Sequence, residues 1–495
     1  MARFLICTVP VTGHVNPGLP IARLLVRRSH EVWWYTGHTF RTVIEATGAR
    51  YVPMQAGYDY DDRAMDAAFP GRAGRSGLAA LKWDLKHLFY DLLPGQLADL
   101  RSILRDFPAD ALLADTGFLG AGALHEQGGP PYATYGITAL LLGSRDTAPF
   151  GTGLPPSATP LGRLRNRALA ALFRQVVFHD VTAYANDVRH TLGLPSLERG
   201  IFDALPPFLY LQGSTPAFEY PRSDLPPQVH FIGPLLPETP PDFVPPAWWG
   251  ELGGSRPVVL VNQGTLATDP DDLIVPTLRA LAGEDVLVIA TTGGASVGQI
   301  ARAWSSAVDA EQFAAEMRIA QSVGMMGGFV HAYHRPAQMH PPAMEHSHPA
   351  ALPTNARVEP FIPFGALLPH VDVMVTNGGY GGVQFALAHG VPLIVAGATE
   401  EKPEIAARVA WSGAGINLKT KVPTRAQLRA AVREVLDNPR YRQNARRIRD
   451  AYAHHNAPHE AAALLERLAA TGQPVLRGEP LVDYRPLHPE MAINS

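Results

Sequence analysis

His14 lies in the stretch VPVTGHVNPGLP, where an apolar run gives way to glycine, asparagine and proline. An imidazole titrates near neutrality, so at such a turn it can act as a general base. For that it needs an acceptor to fix its second ring nitrogen. Asp115 closes the apolar run ADALLAD and is a candidate partner. A lone histidine near a helix start also reads as a polar packing residue, and spacing alone leaves both readings open.

The second candidate is a loop with little side chain, VTNGGYGGVQFALAHGVP, from Val375 to Pro392. Glycines at 378, 379, 381 and 382 allow a close approach to the backbone. The apolar run behind them predicts a helix beginning near Gly381 or Gly382, whose unpaired N–H groups and dipole would attract an anion such as a diphosphate. The glycines also fit tight packing alone. The loop is neither G-x-G-x-x-G nor a P-loop, since no lysine follows. NQGT, with Gly264 and Thr265, is a second turn of this kind after an apolar run.

These groups need elements to hold them. FLICTV (4–9) reads as a buried strand, with Asn16 as cap and Pro17 as first residue of the helix that follows. HEVWWYTG is the next strand, giving a βαβ unit and so a parallel sheet. ADALLADTG (109–117) is a further buried strand, and helices are expected around 81–105 and 162–193. PETPPDFVPPAWWGELGGSR reads as a proline-rich, structureless connection. Beyond it the alternation restarts, with strands in RPVVLVNQGT, DVLVIATTGG, VDVMVTNGG and VPLIVAG and helices in TRAQLRAAVREVLDN and YRQNARRIRDAYAHH. The reading is α/β, two doubly wound Rossmann-like domains with the site in the cleft between them. The boundaries are 1–236, a linker at 237–255, 256–470, and a tail at 471–495.

Residues 295–351 break the pattern and are rich in Met and His, apart from a possible helix near 301–320. Imidazole and thioether are metal ligands, but without Cys or a carboxylate cluster the plainer reading is an excursion over the cleft. A chain of 495 residues exceeds one ordinary core and predicts two domains. A formal charge of −3 argues against nucleic acid and anionic membranes as partners. The single Cys7 excludes an internal disulfide and fits a buried thiol in a cytoplasmic protein. The short N-terminal apolar run does not read as a signal peptide, and no stretch reaches the roughly 20 apolar residues of a membrane span.

TGHVNPGLPIARLL, PADALLAD and VEPFIPFGALLPHVDVMVTNGGYGGVQFALAHGVPLIVAG together resemble the inverting nucleotide-sugar glycosyltransferases of GT-B fold that decorate small molecules, here of the bacterial natural-product type. The resemblance covers nearly the whole chain except 295–351 and the tail. It implies transfer of a hexose from a UDP- or dTDP-sugar to a hydroxyl of a lipophilic acceptor, with no cofactor beyond the nucleotide sugar and no metal. His14 matches the family's base and Asp115 the carboxylate that holds it. Thr265 matches a phosphate-side hydroxyl and Phe361 the aromatic that stacks on the nucleobase. Gly264, Gly378 and Gly379 complete the donor side.

The sequence departs from the family at several donor positions. Asn377 replaces a histidine, Gly381 and Gly382 replace an Asn-Ser pair, and Phe385 replaces the glutamate that binds ribose, leaving neighbouring Gln384 as a substitute. Glu401 and Lys402 stand where an Asp-Gln pair grips the sugar, or form a solvated charged turn. Trp83, Phe89 and Phe150 are candidate acceptor-pocket aromatics, with 61–77 and 147–164 as loops around the pocket. Two other readings remain open: a catalytically degenerate homologue that binds nucleotide or aglycone as an auxiliary protein, and a sugar-nucleotide epimerase.

Overall fold

The computed structural model describes residues 1–479 except 76, 199, 202–204, 241, 265–268, 295, 307–350 and 399–400. Thr265 and nearly all of the Met- and His-rich segment therefore lie outside the described residues.

Seven strands form the first sheet: β1 (Arg3–Cys7), β2 (Glu31–Thr36), β3 (Arg50–Pro53), β4 (Ala111–Asp115), β5 (Tyr132–Gly136), β6 (Leu209–Gln212) and β7 (Val229–Phe231), in the order β3-β2-β1-β4-β5-β6-β7. All neighbours are parallel. The second sheet holds β8 (Val258–Asn262), β9 (Leu287–Thr291), β10 (Ala356–Glu359), β11 (Val373–Thr376), β12 (Leu393–Val395) and β13 (Gly415–Asn417), in the order β10-β9-β8-β11-β12-β13. It too is parallel throughout. Parallel strands are covered on both faces, which is why they read as unbroken apolar runs such as Val258–Val261. Separate cores lie on either side of each sheet.

Each sheet reverses its winding once, between β1 and β4 and between β8 and β11. Loops diverge at such a point and leave a crevice at the carboxyl ends of the strands. The halves touch where the carboxyl end of β6 meets the helix after β11. Gln212, the last residue of β6, donates through Nε2 to the Tyr380 hydroxyl at 3.0 Å. Tyr380 opens the helix that follows β11.

Three local expectations are corrected. The helical stretch after β1 begins at Thr12 rather than at an Asn16 cap, so His14 lies in its first turn. The Thr12 N–H donates to the buried Asp62 carboxylate at 2.6 Å, a cap supplied from 50 residues away. The 237–255 connection is not structureless: Ala247–Gly253 is a 3-10 helix whose tryptophans dock on the second half, with Trp248 Nε1 donating to Glu359 at 2.8 Å. The helix after the glycine-rich loop starts at Tyr380. Finally, Ala457–Thr471 follows the second sheet in sequence but packs in the core of the first, with Leu465 and Leu468 fully buried.

Candidate active site

Asp115 ends β4 and His14 stands in the turn after its neighbour β1, so the first winding reversal brings the two side chains together. His14 Nδ1 lies 2.6 Å from Asp115 Oδ1. The Asp115 side chain is fully enclosed, while that of His14 keeps 15% of its surface exposed. Burying a carboxylate is costly unless donors surround it. Here the Val9 N–H reaches Oδ2 at 2.9 Å and the Gly117 N–H reaches Oδ1 at 2.6 Å. With the proton of the imidazole on Nδ1, facing Asp115, the lone pair is on Nε2.

The His14 backbone is held as well. Its carbonyl accepts from the Tyr135 hydroxyl at 2.5 Å. Gly117 permits the packing: a Cβ there would lie 2.8 Å from His14 Cε1, 2.9 Å from Phe89 Cε1 and 3.0 Å from Asp115 Oδ1. The Phe89 and His14 rings thus both border the Gly117 turn. Trp83 sits further along, 6.4 Å between ring centres from Phe69 and 4.6 Å from His87. Phe150 packs against the core of the second half.

The second winding reversal places the turn after β8 beside the loop after β11, with Thr376 in register with Asn262. Asn377 braces the two loops: its Nδ2 donates to the Gln263 carbonyl and its Oδ1 accepts from the Gly379 N–H at 3.2 Å. The glycines of this loop divide into two kinds. Gly378 has φ +88°, and a Cβ there would sit 2.8 Å from Val395 Cγ1, so fold and conformation both require it. Gly381 has open space where its Cβ would be, and Gly382 meets nothing closer than 3.5 Å. Packing does not ask for these two. They bare the first turn of Tyr380–Ala388, whose N–H groups are the orphans of a helix start. Lys402, Asn377, Gln263 and Gly397 line a small cleft beside it.

Of the other donor-side candidates, Phe361 is 70% exposed just after β10. Gly264, at φ +80°, turns the chain after β8. Glu401 precedes the helix Lys402–Trp411. Gln384 is corrected: it is buried, its Nε2 donates to the Gly213 carbonyl and its Oε1 accepts from the Tyr452 hydroxyl at 2.6 Å, so the amide ties the halves together instead of facing the cleft. Phe385 packs on Phe364 with 5.7 Å between ring centres. Among the described residues no cluster of His, Cys, Asp and Glu could hold a metal ion, and no helix is long and apolar enough to cross a membrane.

Sequence reasoning missed Asp62, Gly117 and Tyr135, all of which support His14. The signal for Gly117 was present in ADTG, since a glycine two residues past a strand-ending carboxylate leaves that side open to a second group. Asp62 and Tyr135 carry no local signal, because their partners are distant in sequence.

The chain is similar to known proteins over nearly its whole length. Residues 338–468 match the C-terminal domain of the erythromycin biosynthesis protein CIII-like family. The chain is 46% identical over 469 residues to 4'-demethylrebeccamycin synthase of Lentzea aerocolonigenes, covering 94% of this chain and 99% of that one. It is 33% identical to UDP-glycosyltransferase 2 of Phaeomoniella chlamydospora, covering 94% and 95%. Among solved structures, the glycosyltransferase of kitacinnamycin aligns with a TM-score of 0.63 at 22% identity over 96% of this chain and 99% of that one. Glycosyltransferase VinC, in complex with dTDP, aligns with a TM-score of 0.60 at 19% identity over 94% and 99%.

Proposed function

The chain belongs to the GT-B nucleotide-sugar glycosyltransferases that act on small molecules, and from that premise we propose an inverting, metal-independent transfer with His14 as general base. A hexose passes from a UDP- or dTDP-sugar to a hydroxyl of a lipophilic natural-product acceptor. Both nucleotides are represented among the similar proteins, UDP in the name of the Phaeomoniella relative and dTDP in the VinC complex.

The observation that carries this reading is the 2.6 Å contact between His14 Nδ1 and the enclosed Asp115 carboxylate at the mouth of the first crevice. Nε2 takes the acceptor's hydroxyl proton as the oxygen attacks C1 of the sugar. The bond from C1 to the phosphate oxygen breaks on the opposite face, so the anomeric centre inverts and the nucleoside diphosphate departs. Asp115 holds the ring and stabilises the imidazolium formed. The leaving diphosphate gathers negative charge, which the bared first turn of Tyr380–Ala388, with Lys402 lining the adjacent cleft, would offset. Phe361 offers an exposed ring for the nucleobase, and Phe89, which borders the Gly117 turn with His14, serves the acceptor side. An auxiliary binding protein would have no use for the buried His–Asp pair, which favours catalysis over that alternative.

The test is the thermal midpoint against UDP, dTDP, GDP and ADP, each with and without magnesium, followed by product analysis with the sugar of the nucleotide that binds. A ligand at about 100 times its dissociation constant adds roughly 2.7 kcal/mol. A magnesium-independent rise with UDP or dTDP supports the reading. A rise only with magnesium removes the metal-independent step, and no rise with any nucleotide removes the donor site.

A further inference from the structure

The loop that carries Phe150 leaves the first sheet after β5 and runs over to the second half. At its far point the Gly151 and Gly153 N–H groups both donate to Glu404 Oε1, at 2.9 and 2.7 Å. Both glycines have positive φ, +95° and +60°. That conformation turns two N–H groups toward one oxygen, and side chains other than glycine rarely adopt it. Glu404 stands in the first turn of Lys402–Trp411, two residues beyond Lys402 of the donor cleft.

Glu404 is one end of a buried ionic chain. Its Oε2 accepts from Arg408 Nη1 at 2.9 Å, and Arg408 Nε donates to Glu219 Oε2 at 2.8 Å. Glu219 Oε1 accepts from the Leu140 N–H at 3.0 Å, near the start of the same loop. All three charged side chains are at least 95% enclosed. The Arg408 guanidinium also lies 4.2 Å from the centre of the Tyr220 ring. Removing charges from water is expensive, and apolar residues would join the halves as firmly. What this chain adds is directional: it fixes both the root and the tip of one loop to one helix. Gln212 and Gln384 also supply polar ties between the halves; Gln212 reaches this loop only at its root, through the Thr138 carbonyl.

We propose that Glu404 is a positioning residue that couples the filled donor cleft to the acceptor-side loop at 148–155. When a nucleoside diphosphate draws on Lys402, the first turn of its helix settles. Through Glu404 the two glycine N–H groups, and Phe150 between the loop's anchors, settle with it. The acceptor wall would then be completed only with donor bound, which holds acceptor and donor in register and discourages loss of the sugar to water. The proposal rests on the donor site described above.

Amide hydrogen exchange on the full chain, with UDP and with dTDP as the probes, tests it. The nucleotide that binds should slow exchange at 377–384 and also at 148–155, the segment that Glu404 holds through Gly151 and Gly153. In E404Q one oxygen remains for the glycines but the amide faces Arg408 with a donor. The unliganded loop should then exchange roughly tenfold faster or more, as loss of a hydrogen bond to a charged group implies. Nucleotide binding should still protect 377–384 and no longer protect 148–155. Protection confined to 377–384 in the wild type overturns the coupling and leaves the donor site standing. Protection at neither segment with either nucleotide removes the donor site and the coupling with it. The wild-type arm does not depend on the variant folding.

Discussion

Replacing Gly117 with Ala puts one methyl group where three groups of the site converge. The added carbon would lie 2.8 Å from His14 Cε1, 2.9 Å from Phe89 Cε1 and 3.0 Å from Asp115 Oδ1. Carbon atoms rest about 3.5–4.0 Å apart, so each neighbour must retreat by roughly 0.5–1 Å. Asp115 has little freedom, because the Val9 N–H holds its other oxygen. The imidazole, on the side open to solvent, gives way. Overpacking of this kind costs about 1–3 kcal/mol of stability, a fall of a few degrees in Tm. A displacement of about 1 Å in a catalytic group costs on the order of a hundredfold in rate. Initial rates of nucleotide release with a responsive acceptor, set beside calorimetric UDP or dTDP affinity, separate these effects. We expect turnover to fall about ten- to a hundredfold while nucleotide affinity changes less than about twofold, because the added carbon would meet His14, Phe89 and Asp115 and no donor-loop residue. Wild-type turnover in Gly117→Ala would refute the reasoning, because the ring that moves would not be the one that reacts. An equal fall in turnover and affinity would mean that the substitution acts on the fold.

Two glycines of the donor loop should answer differently to alanine. Gly378→Ala forces a side chain into positive φ against Val395, which should lower stability by about 1–3 kcal/mol, read from denaturant midpoints. Gly381→Ala has open space at a helix start, so stability should hold or rise while diphosphate affinity falls, read by calorimetry. Acid stability has a local contributor in Asp146: burial raises its carboxyl, but hydrogen bonds from Ser223 and the Arg163 guanidinium outweigh that and hold it at about 2. A depressed carboxyl adds stability that is full above its unfolded value near 4 and lost as pH falls through about 2. The midpoint difference between wild type and Asp146→Asn should therefore shrink between about pH 4 and pH 2, and a difference that persists unchanged would contradict it. Burial, reinforced by the charge of Asp115, pushes the Cys7 thiol well up. The native protein should resist iodoacetamide under mildly alkaline conditions in which the unfolded chain reacts at once.

How much of this was legible in the sequence differs from residue to residue. Asp115 was readable because a short apolar run bounded by turns is a buried strand, and its last residue faces a crevice whatever the fold contains around it. The pairing with His14 was not, since spacing does not say which strands are neighbours; the sheet order puts β1 beside β4. The helix start at Thr12 escaped because its cap, Asp62, comes from another segment. Asn16 and Pro17 are sound local signals that a tertiary hydrogen bond overrode. Gln384 was misplaced for a similar reason. A helix position near a loop looks available until Gly213 and Tyr452, far off in sequence, occupy its amide. The helix Ala457–Thr471 was not singled out, and nothing local in its sequence names its partner, the core of the first sheet.

The most direct measurement is sugar transfer by His14→Ala. Nucleotide release from UDP- or dTDP-glucose would be followed with a panel of hydroxylated lipophilic acceptors, and affinity for the free nucleotide determined on the same preparation. If His14 Nε2 takes the acceptor proton, transfer should fall by about three orders of magnitude or more, with nucleotide affinity retained. Transfer at the wild-type rate would contradict the central claim, and the 2.6 Å contact to Asp115 would then hold a packing residue in place.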